Sequence, residues 1–450
     1  MISAIRGAAC SDRCWIWPHN RALAAEGWNV DSKELLIQSF HAAVAAADPL
    51  KILPQHLPVP PAGRTLVIGA GKAGASMALA AERHWPPGAS LEGIVITRHG
   101  HALLTERIEV IEAGHPVTDE AGEAGAREIL RRVGALGPSD LLLALISGGG
   151  SALLSLPAEG LDMDALKATT RELLKSGARI EEINTVRKHL SAIQGGRLAG
   201  ACRAPILALI VSDVTGDDPT HIASGPCAPD PTTYADALAV LERYGVSTAP
   251  AVLQHLRQGM RGAIPETPKP GDLLFSRVEN RVIATAQLAL SAAENFFRSH
   301  GIQTRNLGDR ITGEAREVAG KQEALARQLA GQVRPLPVAI VSGGECTVTV
   351  RGRGRGGRCT EFLLSLGIGL DGLPNVHAIA CDTDGIDGSE DNAGAVLLPD
   401  SLSRAAKRGV DARKLLADND AYGFFSAVGD LVVTGPTRTN INDYRAILVT

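Results

Sequence analysis

From residue 31 onward, short apolar runs alternate with helical stretches, and no other feature of the chain limits its fold so tightly. TLVIG (65–69), GIVITR (93–98), IEVIEAG (108–114), DLLLALISGGG (140–150) and PILALIVSD (205–213) have the length and the Val/Ile/Leu content of buried strands. LLIQSFHAAVAAA (35–47), SMALAAERH (76–84), EAGAREILRRVGAL (123–136), MDALKATTRELLKSG (163–177) and INTVRKHLSAIQGGRLA (183–199) space their apolar residues as helices do. Strands buried on both faces and separated by helices of ~10–15 residues lie parallel, with the helices as crossovers. The pattern therefore predicts an α/β fold whose first part is a Rossmann-like doubly wound parallel sheet.

A second α/β domain is expected after the proline-rich stretch 247–272, which reads as a connection. Its strands would be VIATA (282–286), PVAIVSGG (337–344), VTV (348–350), VHAIACD (376–382) and LVVTG (431–435). Its helices would be 291–301, 313–331 and 359–370. The division is an extension at 1–30, one domain at 31–240 and another at 241–450, each with its own core, and the active site in the cleft between the two. Residues 1–30 stand apart because Trp15, Trp17 and Trp28 follow neither a helical nor a strand period.

Composition removes several classes of function. A net charge of −4 leaves no broad positive field for nucleic acid or anionic lipid. No apolar run approaches the ~20 residues that cross a bilayer, and no leader pattern opens the chain, so a cytoplasmic location is expected. The seven cysteines are scattered; Cys10 and Cys14 offer only two ligands and do not close a zinc site.

Chemistry concentrates in glycine-rich loops. GAGKAG (69–74) fits the dinucleotide fingerprint, with Gly69 and Gly71 as its first two glycines, and it follows a strand and precedes a helix. That fold wants an acid ~20 residues on, yet the next strand ends in Arg98, His99, Gly100 and His101. Arg98 would suit a 2′-phosphate, which leaves an NADP reading open. Lys72 instead points to a grip on phosphate or carboxylate, against the plainer reading of a solvated loop lysine. Ser147, Gly148, Gly149, Gly150 and Ser151 form a second loop able to cradle an anion, and VSGGECTVTVRGRGRGGR (341–358) brings Gly343, Gly344 and Glu345 together with Arg351, Arg353, Arg355 and Arg358.

Carboxylates gather at two strand ends. Asp213 is followed by Asp217 and Asp218, while CDTDGIDGSED supplies Asp382, Asp384, Asp387 and Asp391. The second run breaks the spacing of a calcium loop, and magnesium bridged to substrate phosphates suits these residues better, with Asp213, Asp382 and Asp384 as metal candidates. Any one of them taken alone is equally a cap or turn residue. TGPTRTNINDY (434–444) offers Thr437, Thr439, Asn440, Asn442 and Asp443 to sugar-like hydroxyls or a nucleotide, or caps itself in a long turn. His115, at a strand end with Asp119 four residues on, is a candidate for catalysis against the commoner structural role of a lone histidine.

Taken in order, GAGKAG, AGHPVTDE, LISGGGSALL, INTVRKHLSAIQGGRLA, SDVTGDDPTHIASGPCAPD, VSGGECTV, GRGGR, DTDGIDG and TGPTRTNINDY span about 65–445. In these stretches the chain resembles the class II glycerate kinases, the glycerate 2-kinase family with a carboxy-terminal MOFRL domain, some members of which are labelled hydroxypyruvate reductases. The resemblance implies ATP-dependent, Mg²⁺-assisted phosphorylation of D-glycerate to 2-phosphoglycerate. It implies Lys72 and Arg358 as the essential cations. From the residues themselves Asp213 is a further catalytic candidate and Arg187, within INTVRKHLS, a candidate for binding substrate or phosphate. Two departures stand out: Cys359 and Thr360 replace an Asn-Gln pair after GGR, and Arg438 stands where glycine is usual. Two other functions fit the residues, an NAD(P)H-dependent hydroxypyruvate reductase and a non-catalytic sugar-acid binding protein. A monomer or homodimer is expected.

Overall fold

The computed structural model describes residues 31–332 and 337–450; the expected extension at 1–30 lies outside them. Six strands, β1 (Thr65–Ala70), β2 (Leu91–Arg98), β3 (Ile108–Ala113), β4 (Leu141–Ser147), β5 (Ile206–Val211) and β6 (Val278–Ala284), form the first sheet in the order β3-β2-β1-β4-β5-β6. Every pairing in it is parallel. This is the strand order of a doubly wound sheet, with its topological switch between β1 and β4. The apolar runs follow from burial on both faces: β1, β4 and β5 are buried along their whole length. Side chains alternate between two cores, Val67, Leu143 and Leu209 entering one and Ile68, Ala144 and Ile210 the other.

The second sheet is mixed rather than parallel. Its region contains β7 (Gln303–Asn306), β8 (Gly313–Glu314), β9 (Val338–Gly344), β10 (Cys346–Thr347), β11 (Val376–Asp382), β12 (Gly394–Leu397), β13 (Leu431–Val432) and β14 (Asp443–Val449). The sheet order is β13-β12-β11-β14-β9-β7, with only β7 and β9 parallel, while β8 and β10 pair separately. β14 is central and fully buried although it is the last strand of the chain. Its charged opening, Asp443 and Arg445, masks a strand that then reads AILV.

Several expected boundaries change. VIATA belongs to β6, the edge of the first sheet, so a division at 240 cuts that sheet from its own strand. The stretch 247–272 holds a helix, Pro250–Met260, which buries Val252 and Leu256 against Leu238 and Leu241 of the helix Tyr234–Arg243. VTV at 348–350 is not a strand, and the helical run 183–199 ends at His189 and resumes at Arg197, after Gly195 and Gly196 adopt left-handed φ values of 61° and 79°.

Each sheet keeps a core of its own on one face, Ile68, Ala144 and Ile210 in the first and Ile340, Ala378 and Ile447 in the second, and a third cluster is shared between them. Leu143 and Leu145 of the first sheet and Val341, Ile379 and Ala446 of the second join it through Leu36 and Phe40 of the helix Ser32–Ala45. Tyr444 adds a hydrogen bond from its hydroxyl to Ser39 Oγ at 2.8 Å. The two sheets are therefore held by continuous apolar packing. Among the described residues no helix is long and apolar enough to cross a membrane.

Arg438 occupies a left-handed conformation at φ 58°, a region that glycine enters more readily than arginine. Arg438→Gly should leave folding stability unchanged or raise it by up to ~1 kcal/mol, since a side chain in that region costs roughly that much. Urea denaturation measures it, and a loss above ~1 kcal/mol would mean that the arginine side chain packs more tightly than its backbone suggests.

Candidate active site

The switch point between β1 and β4 is where ligands of doubly wound sheets sit, outside the carboxyl ends of the strands. The loop leaving β1 is held closely against β4. Gly71 N–H donates to Ile96 O at 3.1 Å, Lys72 N–H to Gly148 O at 2.8 Å, and Ala73 N–H to Ser147 Oγ at 3.0 Å. Gly71 has φ 134°, and a Cβ there would lie 2.1 Å from Ser147 Oγ. Gly69 is inside β1, where a Cβ would meet Leu145 O at 2.6 Å, so it serves close strand packing and not a ligand. With its backbone amides used in this way, the loop sends the Lys72 side chain across to the second sheet, where Nζ lies 2.5 Å from Asp384 Oδ2. Burial opposes the charge, but Asp384, Asp382 and Asp213 outweigh it and hold the ammonium pKa above its ordinary value.

One end of the second sheet faces this loop. Its register places Asp382 opposite Asp443, and Asp443 opposite Gly344, in a single row across β11, β14 and β9. Arg358, the first residue of the helix Arg358–Leu370, closes on that row: Nε–H donates to Asp443 Oδ1 at 2.6 Å, Nη1–H to Glu345 Oε1 at 2.8 Å and Nη2–H to Asp382 Oδ2 at 2.9 Å. Burial disfavours its charge, and Asp443, Asp382 and Glu345 overcome that penalty. Gly344, at φ 115°, is required because a Cβ would lie 2.3 Å from Ile311 O; Gly343 is within β9, its N–H bonded to Gly308 O.

Asp387 holds the start of this helix. It accepts from Cys359 N–H at 3.0 Å, from Thr360 N–H at 2.9 Å and from the Thr360 hydroxyl at 2.7 Å. The two departures from the family pattern thus point inward, at the cap that positions Arg358, and the Cys359 side chain is buried with its thiol pKa pushed far up.

The cations are joined through adjacent aspartates. Asp384 binds Lys72; its own N–H donates to Asp382 Oδ1 at 3.0 Å, and Asp382 Oδ2 binds Arg358. On the first-sheet side, Asp213 Oδ2 accepts from Asn440 Nδ2–H at 3.1 Å, and Asp213 O from Asn442 Nδ2–H at 2.5 Å. The Thr437 hydroxyl donates to Thr383 O and its N–H to Asp384 O, so Thr437 shapes the aspartate loop. Five carboxylates (Asp213, Asp382, Asp384, Asp443 and Glu345) gather around three cations, Lys72, Arg358 and the buried Arg445, whose Nη2–H donates to Asp443 Oδ2 at 3.4 Å. The imbalance appears in the carboxyls: burial and Asp384 push Asp382 well above the ordinary range, and burial raises Asp213 to about 6.

Among the described residues no three His, Cys, Asp or Glu side chains are arranged as a metal-ligand set. The acidic donors fit instead a hard divalent cation completed by substrate oxygens, for which one or two protein carboxylates suffice and whose charge would offset the surplus.

The loop after β4 differs from the cradle expected of it. Ser147 is fully buried and its hydroxyl is committed to Ala73. The glycines are there because other groups press in. A Cβ on Gly148 would lie 2.1 Å from Asp213 Oδ2 and 2.4 Å from Asn440 Nδ2; one on Gly149, 2.9 Å from His115 Nε2 and 3.4 Å from Lys72 Cγ; one on Gly150, 2.6 Å from Ala223 Cβ. Ser151 Oγ lies 2.9 Å from Ser224 Oγ, and Arg187 lies beyond, with one hydrogen bond, to Asn184 Oδ1 at 3.5 Å. Sequence reasoning gave His115 a weak claim to catalysis; burial and the nearby Lys72 and Arg98 lower its pKa to about 4, so it is neutral at physiological pH. It named Asp443 only as part of a polar run and passed over Asn184 and Ser224, although the last stands in IASGP.

The chain matches two family models: a domain of unknown function, DUF4147, over residues 35–257 and the MOFRL family over 338–443. It is 49% identical to a "Putative hydroxypyruvate reductase" of Agrobacterium vitis, the match covering 94% of this chain and 96% of that one. It is 37% identical to a "Glycerate 2-kinase" of Pyrococcus horikoshii, covering 94% and 98%. The crystal structure of a glycerate kinase from Thermotoga maritima superposes with a TM-score of 0.82 at 37% identity, covering 93% of this chain and 99% of that one.

Gly148→Ala tests how closely the β4 loop is pressed onto Asp213. The methyl must displace Asp213 and Asn440, and overpacking of that kind costs roughly 1–3 kcal/mol. A wild-type urea midpoint for this variant would mean that the two side chains move aside freely.

Proposed function

The chain belongs to the glycerate kinase family that carries the MOFRL region, and from that premise we propose that it transfers the terminal phosphoryl group of ATP to the 2-hydroxyl of D-glycerate, with Mg²⁺ arriving on the nucleotide. The observation that carries this reading is the unbroken run Lys72, Asp384, Asp382, Arg358, in which an ammonium from the first sheet and a guanidinium from the second share two adjacent carboxylates. Phosphoryl transfer asks a protein for positioning and charge neutralisation more than for covalent chemistry. Lys72 and Arg358 are the groups we assign to the migrating phosphoryl unit, where fixed cations stabilise the spread negative charge.

The exchange balances simply. The bond from the terminal phosphorus to the ADP oxygen breaks, a bond to glycerate O2 forms, and the hydroxyl proton passes to a carboxylate. Asp213 is our choice for that carboxylate, because burial raises its pKa to about 6 and makes it a stronger base than an ordinary aspartate. Mg²⁺, when bound, would neutralise nucleotide phosphate oxygens, with Asp382 and Asp384 holding it and Asp213 alongside. Asn440 and Asn442 keep Asp213 in place, and Glu345 and Asp443 orient Arg358.

The reductase label on the Agrobacterium relative calls for a dinucleotide on the helix after β1. In this chain the Ser76 hydroxyl, in the first turn of that helix, donates to Arg438 O at 2.6 Å, so a carbonyl of the 434–444 segment covers the place where a pyrophosphate would lie. The end of β2 also lacks the acid that binds the ribose. A sugar-acid binding protein without catalysis would answer to the acid alone, whereas MgADP and glycerate should each raise the melting temperature of a kinase.

Incubation with MgATP and D-glycerate should give 2-phosphoglycerate by ³¹P and ¹³C NMR, with no oxidation of NADH or NADPH on hydroxypyruvate. Lys72→Ala and Arg358→Ala should each lower kcat at least ~100-fold with the fold retained. Near-wild-type turnover in both variants would remove these residues from the site.

A further inference from the structure

We propose that Arg187, together with the hydroxyls of Ser224 and Ser151, forms the subsite that receives the carboxylate of the acid substrate and so selects three-carbon acids over neutral polyols. The inference rests on the glycerate kinase reading and deepens it.

Arg187 lies on the helix Ile180–His189 and is largely withdrawn from water, yet among the described residues no carboxylate pairs with it; its one hydrogen bond is the 3.5 Å contact to Asn184 Oδ1. Arg358, Arg316, Arg404 and Arg445 each have at least one acidic partner, and Arg197 and Arg277 are instead bonded to Tyr234 OH and Cys202 O at 2.9 and 2.6 Å, whereas Arg187 has only its long contact to Asn184. A guanidinium offers five N–H donors in a planar fork, and removing it from water without an acceptor is costly. A planar carboxylate matches that fork with two parallel hydrogen bonds.

A second, independent feature lies beside it. Ala223 and Ser224 are consecutive non-glycine residues with left-handed φ values of 51° and 58°. Such a pair is strained, and strain of this sort is retained where the side chains are wanted in place. The result is a Ser224 hydroxyl 2.9 Å from Ser151 Oγ and 3.4 Å from Asn184 Oδ1, on the same small network as Arg187. The helix is pinned behind Arg187 by a buried pair, Lys188 Nζ to Asp230 Oδ1 at 3.4 Å, so the guanidinium is pre-positioned.

Location and charge agree. Gly149 is flanked by Lys72 and His115, and the next residue, Gly150, by Ala223, so this cluster and Lys72 border one short loop. In a 2-hydroxy acid the reacting hydroxyl and the carboxylate are on neighbouring carbons, which suits two such adjacent subsites. The five carboxylates around Lys72 and Arg358 would repel an incoming acid, which therefore needs a cation outside that group.

The test uses full-length Arg187→Met, Arg187→Lys and Ser224→Ala, each checked for wild-type secondary structure and melting temperature. Steady-state rates are measured with D-glycerate and with glycerol as acceptors, and calorimetric titrations with D-glycerate and, separately, MgADP. Arg187→Met should raise KM for glycerate by on the order of 30-fold, the range expected for hydrogen bonds to a charged group. It should lower kcat much less, leave MgADP affinity within about twofold, and narrow the preference for glycerate over glycerol; Arg187→Lys should recover part of the loss, and Ser224→Ala should cost a few-fold. Equal losses for MgADP and glycerate would assign Arg187 to nucleotide phosphate and overturn the proposal, as would glycerate binding that survives its removal; either leaves the kinase reading standing. A wild-type chain that binds glycerate without phosphorylating it would instead sink the kinase reading.

Discussion

An ion-pair chain with too many carboxylates governs the site. Lys72 reaches Asp384 at 2.5 Å from a loop of the first sheet, while Arg358 joins Asp382, Asp443 and Glu345 within the second. Burying charges costs several kcal/mol per ion, and such pairs rarely repay that cost in stability. Here the debt is larger because acids outnumber cations, and burial by itself already raises the pKa values of Asp382 and Asp213. Under the function proposed above, a divalent cation would offset the surplus acid, and the phosphates it accompanies would take over Lys72 and Arg358.

Everything around that chain keeps its members from relaxing apart. The apolar cluster running from Leu143 through Phe40 to Ala446 ties the two sheets together, so Lys72 and Asp384 face each other across a packed boundary. Asp387 fixes the first turn of the Arg358 helix, and Gly148 lets Asp213 and Asn440 approach the β4 loop to distances that no side chain would tolerate. Preorganisation of this kind is what allows fixed charges to act on a transition state without reorganising during the reaction.

The sequence made the parallel sheet legible because strands buried on both faces become unbroken apolar runs bounded by glycine. It made Lys72 legible because a cation within a glycine loop has no packing reason to be there, whereas among the four arginines of 351–358 it was the family resemblance that singled out Arg358. Asp443 was harder to see: it opens a buried strand whose polar start resembles the end of a loop, and only pairing with β11 and β9 reveals its row with Asp382. The loop glycines were legible as a feature but not in purpose. A run such as SGGGS suggests amides turned toward an anion, whereas here the glycines mark the approach of Asp213, His115 and Ala223, and Ser147 supports the lysine loop. Contacts distant in sequence decide such roles, and no spacing rule encodes them.

The first sheet also separates fold from chemistry. Its strand order and its glycine loop are those of dinucleotide-binding proteins, and the helix after β1 has the usual N-terminal amides to offer an anion. What differs is the company that helix keeps. The 434–444 segment returns from the far end of the chain, places Arg438 O on Ser76 and the Thr439 hydroxyl on Ala47 O, and closes the ground on which a pyrophosphate would rest. Lys72 then projects past the covered helix end toward Asp384. In the function proposed above the same switch point serves as a ligand site, with an ammonium held on a rigid loop as its anion-binding element in place of a row of amides. A lysine gives a point charge that can pass from a carboxylate to a phosphate, which suits a reaction in which negative charge moves, whereas fixed amides suit a cofactor that binds and stays.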